Sequence, residues 1–234
     1  METVFPKRDE MKAKLAALDA ELAMDGDSWL DASPETNELF FFGEIGRRKW
    51  GGIDAPMFID ALRQFRGRHI TLHLNTPGGE VDQGVAIHNA ILNYKPGVTI
   101  CVDGLAASMG SYILQAATRR IVSNNSMVMV HAPWATTSGD AESMRKSAEV
   151  LDKYGERMID GYMRGTGRPI EVVRGWLSKE TWFHGREIVD AGLASELVQP
   201  QRYSDAAARF PKRVWAAGRR AKVAAMVALM QTYP

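Results

Sequence analysis

The protein has 234 residues, enough for one substantial core with appendages or two small domains, and its 45% hydrophobic and 24% charged content is that of a soluble globular chain. A formal net charge of +1 provides no global field favouring nucleic acid or an anionic membrane. The single cysteine, Cys101, cannot close an intramolecular disulfide. No stretch approaches the roughly 20 apolar residues that span a bilayer, so the expected location is the cytoplasm.

The first residues mix charges throughout and lack an apolar signal core. Residues 7–23 carry a charged helical pattern with Met11, Leu15, Leu18 and Leu22 along one face. Gly26 and an acidic cluster from Asp25 to Asp31 end it, and a polar stretch runs to Asn37. Residues 1–37 are therefore expected to form a helical appendage, used for docking on the body or for subunit contacts. The body, residues 38–199, opens on the short aromatic strand 39–42, closed by Gly43. After a Gly-rich basic connection, Asp54 is placed to cap a helix over 55–65, with Pro56 in its first turn. Residues 69–75 alternate as a strand, 76–79 turn, and 81–94 form the next helix. The β-branched run 98–102 reads as a buried strand. Ala106, Ala107 and Ser108 then read as a tight turn into a helix over 109–117.

Arg119 begins a further strand, Asn124 and Asn125 turn it, and 126–131 is the next. Strands alternating with crossover helices imply a parallel α/β core. Residues 140–163 form a long amphipathic helix, followed by a short helix to Leu177, an extended segment at 181–183, a helix over 185–191 and a last strand over 193–198. From residue 200 the composition changes. Seven basic residues between Arg202 and Lys222 face one acid, Asp205, and an apolar run over 223–230 follows. This tail reads as a solvated basic helix packed on the body or a neighbour, or as a docking element for an acidic partner.

Ser108 is the first candidate for chemistry. A serine between a buried strand and a helix, flanked by small residues, exposes its hydroxyl beside unpaired helix N-terminal amides. The same pattern also describes an ordinary N-cap serine. A nucleophilic serine needs a base within hydrogen-bond reach. His131 ends its strand at the C-terminal edge, where open α/β sheets gather their ligands. His73 lies within a strand and reads as structural, whereas His88 on a helix and His184 in a polar turn read as surface residues. The turn Asn75-Thr-Pro-Gly-Gly79 lets backbone amides approach a substrate closely. It can supply one oxyanion donor, with the amide of Met109 as the other. Its bland alternative is a plain Pro-Gly turn. Zinc-ligand spacing and a phosphate-binding Gly-Lys-Ser/Thr loop are both missing, so neither metal nor cofactor is expected.

Three separated stretches, NTPGGEVDQGVAIHNAI, VTICVDGLAASMGSYILQAAT and NNSMVMVHAPW, together resemble the Clp protease proteolytic subunit family, ClpP. Two more, FGEIGRRKWGGI and KETWFHGREIVDAGLASEL, are closer to its phage-borne branch, the head maturation (prohead) proteases. The resemblance covers residues 39–198. It implies a crotonase/ClpP-like α/β fold of repeated β-α units with a parallel sheet core, flanked here by the N- and C-terminal helical appendages. It also implies a serine endopeptidase with a Ser-His-acid triad. Ser108 matches the nucleophile, His131 the base, and Gly79 and Met109 the oxyanion donors. Counting back from Gly192 without a gap, the family's aspartate falls on Glu180, a departure from the usual residue, with Asp190 and Asp103 out of register. His184 stands at the Ser/Thr position of a capping box whose Glu187 remains. The resemblance implies ring-forming homo-oligomers, with the long helix at a subunit interface. Its implied substrates are scaffold, portal or capsid proteins cleaved during virion head assembly in the host cytoplasm. The axial loops that meet an ATPase ring have no obvious match, so cleavage is expected with or without ATPase help. Two other readings remain open at this level: a catalytically weak or inactive assembly protein, and a crotonase-type acyl-CoA enzyme.

Overall fold

The computed structural model describes residues 28–47 and 51–199. The helix expected at 7–23 and the basic tail from residue 200 lie outside the described residues. Trp29–Ser33 (β1) and Glu38–Phe42 (β2) form an antiparallel pair at one edge of an eight-stranded sheet. The expected boundary between residues 37 and 38 thus falls between two paired strands. Asp31 and Ser33 make β1 look like polar linker, but an edge strand that is half-buried along its whole length accommodates such residues.

Beyond β2 the main path of the sheet is parallel. Ile70–Thr76 (β3), Val98–Ala107 (β4), Arg119–Ser123 (β5) and Glu196–Val198 (β8) follow side by side. Met127–Val130 (β6) pairs parallel with the far end of β4 and antiparallel with Thr181–His184 (β7). The helices of the crossovers are Ala55–Arg63 (α1), Val81–Leu92 (α2) and the short Met109–Leu114 (α3). The long Ala141–Thr166 (α4), Ile170–Lys179 (α5) and Arg186–Asp190 (α6) come later in the chain. This is the mixed α/β architecture with a mostly parallel core that the alternating elements imply. Strict alternation in β3 sends Ile70, Leu72 and Leu74 into one face, where they meet Leu39, Phe41 and Phe58. Burial of such side chains stabilises by roughly 1.5–3 kcal/mol each. Asp54 caps α1 by accepting the Met57 N–H at 2.9 Å. Among the described residues no helix is long and apolar enough to cross a membrane.

Three local expectations are corrected. First, Ala106 and Ala107 are not turn residues: β4 continues through them because they pair with Val128 and Met129 of β6. The reversal is confined to Ser108. Asn75 makes the long strand possible. Where the β3–β4 register shifts, its side-chain oxygen accepts the orphaned Leu105 N–H at 3.0 Å. Second, α3 stops at Leu114, and residues 115–117 tighten into i→i+3 bonds rather than continuing the helix. Third, His88 is not at the surface. It is 2% exposed, with its ring stacked 4.3 Å from that of Tyr112, and burial pushes its pKa down to about 4. His73 does sit within the sheet, stacked on Phe40, with Nδ1 3.0 Å from Asp103. His184 is exposed, and Glu187 reaches back to its N–H at 3.2 Å, so half of the capping box survives without the serine.

Candidate active site

The C-terminal ends of β3, β4 and β6 converge on one cleft, as expected for a parallel sheet whose loops all leave on the same side. At the end of β4, Ser108 takes φ +52° and ψ −121°, a conformation that costs an L-residue about 1–3 kcal/mol. Hydrogen bonds on both sides hold it there. Its N–H donates to the Met129 carbonyl of β6 at 2.9 Å, and its own carbonyl accepts the N–H groups of Ser111 (3.0 Å) and Tyr112 (3.2 Å). The turn leaves the hydroxyl outside the helix, where it makes no cap bond.

His131 follows the last residue of β6. Its Nε2 is 2.7 Å from Ser108 Oγ, a short hydrogen bond. With the hydroxyl donating and the ring accepting, the ring proton sits on Nδ1, the nitrogen that faces Glu180. The antiparallel register explains the approach: Val130 pairs with Thr181, so the next residues outward are His131 and Glu180. The Ala132 N–H also donates to the Leu177 carbonyl at 2.9 Å, tying the segment after His131 to α5, whose C-terminal cap is Glu180. Glu180 Oε2 lies 3.9 Å from Nδ1, within ion-pair range but too far for a direct hydrogen bond. Its side chain is 58% exposed, and its other oxygen accepts the Trp182 indole N–H at 3.3 Å. Like Ser108 it has a positive φ, +49°, so two of the four such non-glycine residues among those described flank His131.

The loop after β3 supplies the third side. Gly78 (φ +97°) and Gly79 (φ +143°) occupy backbone conformations that glycine tolerates. Space demands glycine as well. A Cβ at Gly78 would fall 2.6 Å from the Cβ of Ser108, and one at Gly79 only 1.8 Å from the Ile45 carbonyl oxygen. Ile45 fixes this loop by donating to the Gly78 carbonyl (2.8 Å) and accepting from the Glu80 N–H (2.8 Å). That ladder skips the N–H of Gly79. The N–H of Met109, as the first of α3, has no carbonyl one turn earlier to accept it. Sequence reasoning found the glycines but missed Ile45, which lies in an irregular loop and meets Gly79 through backbone alone. The cleft encloses about 370 Å³ and is walled by Pro77, Gly78, Gly79, Ser108, His131 and Trp134. Cys101 does not compete as a nucleophile, since burial and the nearby Asp103 push its thiol up to about 11.

A strained serine hydrogen-bonded to a strand-end histidine, beside a glycine loop on a ClpP-like α/β sheet, defines a hydrolase class of architecture. The Clp protease family model matches residues 53–201, which include the glycine loop, Ser108, His131 and Glu180, and the chain belongs to that family. It is 35% identical over 131 residues to the ATP-dependent Clp protease proteolytic subunit 1 of Chlamydia caviae. That match covers 54% of this chain and 69% of the relative. The protein is thus a ClpP-like member of a peptidase family.

Proposed function

We propose that this chain is a serine endopeptidase in which Ser108 is the nucleophile, His131 the general base and Glu180 the group that orients the imidazole. The observation that carries this reading is the 2.7 Å bond between Ser108 Oγ and His131 Nε2 at a strained backbone position. Ser108 attacks the scissile carbonyl while its proton passes to Nε2, which then delivers it to the leaving amine. The amides of Gly79 and Met109 hold the oxyanion of the tetrahedral intermediate, each contributing about 3 kcal/mol to the barrier reduction. Water then repeats the cycle on the acyl-enzyme, with His131 again moving the proton.

The substrates in this reading are scaffold, portal or capsid proteins processed during phage head maturation, supported by the likeness of residues 42–53 and 179–197 to the phage-borne branch. Assembly into rings is supported by α4, which presents the exposed side chains of Met144 and Val150. The test is co-expression with the head proteins of the virus or prophage that encodes it, comparing wild type with Ser108→Ala by intact-protein mass spectrometry. Discrete truncation of a head protein by wild type alone is the expected result, and identical masses with both chains would refute it. A second reading, assembly without cleavage, is favoured by the 3.9 Å gap at Glu180, and it predicts that second outcome.

A further inference from the structure

We propose that Ser111 and Tyr162 are positioning residues that aim the Met109 amide at the oxyanion. The inference rests on the serine-peptidase reading and adds two residues that neither the motifs nor the triad geometry include.

The Ser108 carbonyl and the Met109 N–H belong to one planar peptide and point in opposite directions, so anchoring the first sets the aim of the second. The Ser108 carbonyl accepts two backbone N–H groups from the first turn of α3, as a helix start would provide. It also accepts a third bond, from the Ser111 hydroxyl at 2.7 Å, the shortest of the three. Ser111 Oγ is in turn 2.7 Å from the Tyr162 hydroxyl. Proton accounting fixes the direction of this relay. A carbonyl can only accept, so the one hydroxyl proton of Ser111 is committed to it and Tyr162 must be the donor to Ser111.

Both side chains are fully buried, and burial pushes the Tyr162 phenol well above its ordinary range, which keeps it protonated and a donor at any working pH. Tyr162 has little freedom to retreat. Its ring meets Tyr112 edge-on at 5.7 Å, and Tyr112 is packed so closely on α4 that a Cβ on Gly161 would fall 2.4 Å from its ring. Serial donation into the carbonyl also polarises the peptide, strengthening the Met109 N–H as a donor. The pair therefore holds a strained turn and sharpens the dipole that the transition state uses.

The test follows covalent labelling by a fluorophosphonate probe and separates KI from kinact, with thermal unfolding as a fold control. Ser111→Ala should lower kinact about tenfold with KI unchanged, and Tyr162→Phe about threefold, since displaced oxyanion donors are felt in the transition state and not in encounter. The double variant should be no slower than Ser111→Ala alone, because Tyr162 acts through Ser111. It should also unfold at a higher temperature than Ser111→Ala, which strands the buried phenol without an acceptor. Ser111→Thr, which keeps the hydroxyl, should recover most of kinact. If Ser111→Ala does not fold, Tyr162→Phe carries the test, since it removes one atom and keeps the ring. Labelling within twofold of wild type in Tyr162→Phe and Ser111→Ala, a loss confined to KI, or multiplicative losses in the double variant would each overturn the proposal while leaving the peptidase reading intact. Failure of wild type to label at Ser108 would overturn both.

Discussion

The two halves of the cleft are built differently. On the Ser108 side, Ala106, Ala107 and every residue of α3 are buried, and Ser108 is fixed by main-chain bonds on both flanks. On the Glu180 side, that residue ends a helix, is more than half exposed, and lies 3.9 Å from the ring it faces. Attack by a hydroxyl tolerates little error in distance or angle, so its geometry needs a rigid support. A carboxylate that steadies an imidazolium acts over a longer range and in partial contact with water, where its effect is weaker. The contrast predicts that perturbations on the first side are severe and those on the second graded.

The broadest effect, on folding and chemistry together, is expected at the glycine loop. Gly79→Ala must displace the Ile45 carbonyl or abandon its φ of +143°, so it should both destabilise the chain and reduce fluorophosphonate labelling by about 10²–10³-fold, the loss of one oxyanion donor. Thermal unfolding and labelling rates measured together check this. His131→Ala should lose most of the peptidase rate enhancement with folding intact, retaining about 10³–10⁴-fold over the uncatalysed reaction because the oxyanion donors remain. Glu180→Gln should cost roughly tenfold or less and leave stability within about 0.5 kcal/mol, as for an exposed carboxylate. A 10⁴-fold loss there would erase the contrast between the two halves.

The smallest effect concerns pH and stability. His88 is held neutral in the fold, with its pKa lowered to about 4 against an ordinary 6.5, so between these values the unfolded chain binds the extra proton. Stability from this group is therefore complete above pH 6.5 and falls as the pH drops towards 4, by at most about 3 kcal/mol. Urea titrations across that range should show a shallower decline in His88→Phe, which keeps a ring over Tyr112 and removes the titration. An equally steep decline would place the acid sensitivity elsewhere.

The residues that were legible in the sequence are those whose place in the fold follows from local order. Ser108 and His131 stand after consecutive strand signals, and parallel topology carries successive strand ends to one edge. The paired glycines announce a loop that needs positive φ. What was hidden depends on long-range register. Trp29–Ser33 joins the sheet only through its partner β2, and its sequence alone reads as a polar linker. Ala106 and Ala107 look like a turn because they are small, yet β6 recruits them into the strand. His88 sits on a helix with weak amphipathic contrast, so only the packing of Tyr112 shows that its face is inward. The 51-residue separation of Ser111 and Tyr162 conceals their bond in the same way.

The most direct test of an activated Ser108–His131 pair is peptide mapping of the fluorophosphonate adduct on assembled wild-type protein, repeated with His131→Ala. The account predicts a single adduct on Ser108 that disappears in the variant. An adduct on any other residue, or equal labelling of Ser108 without His131, would contradict it.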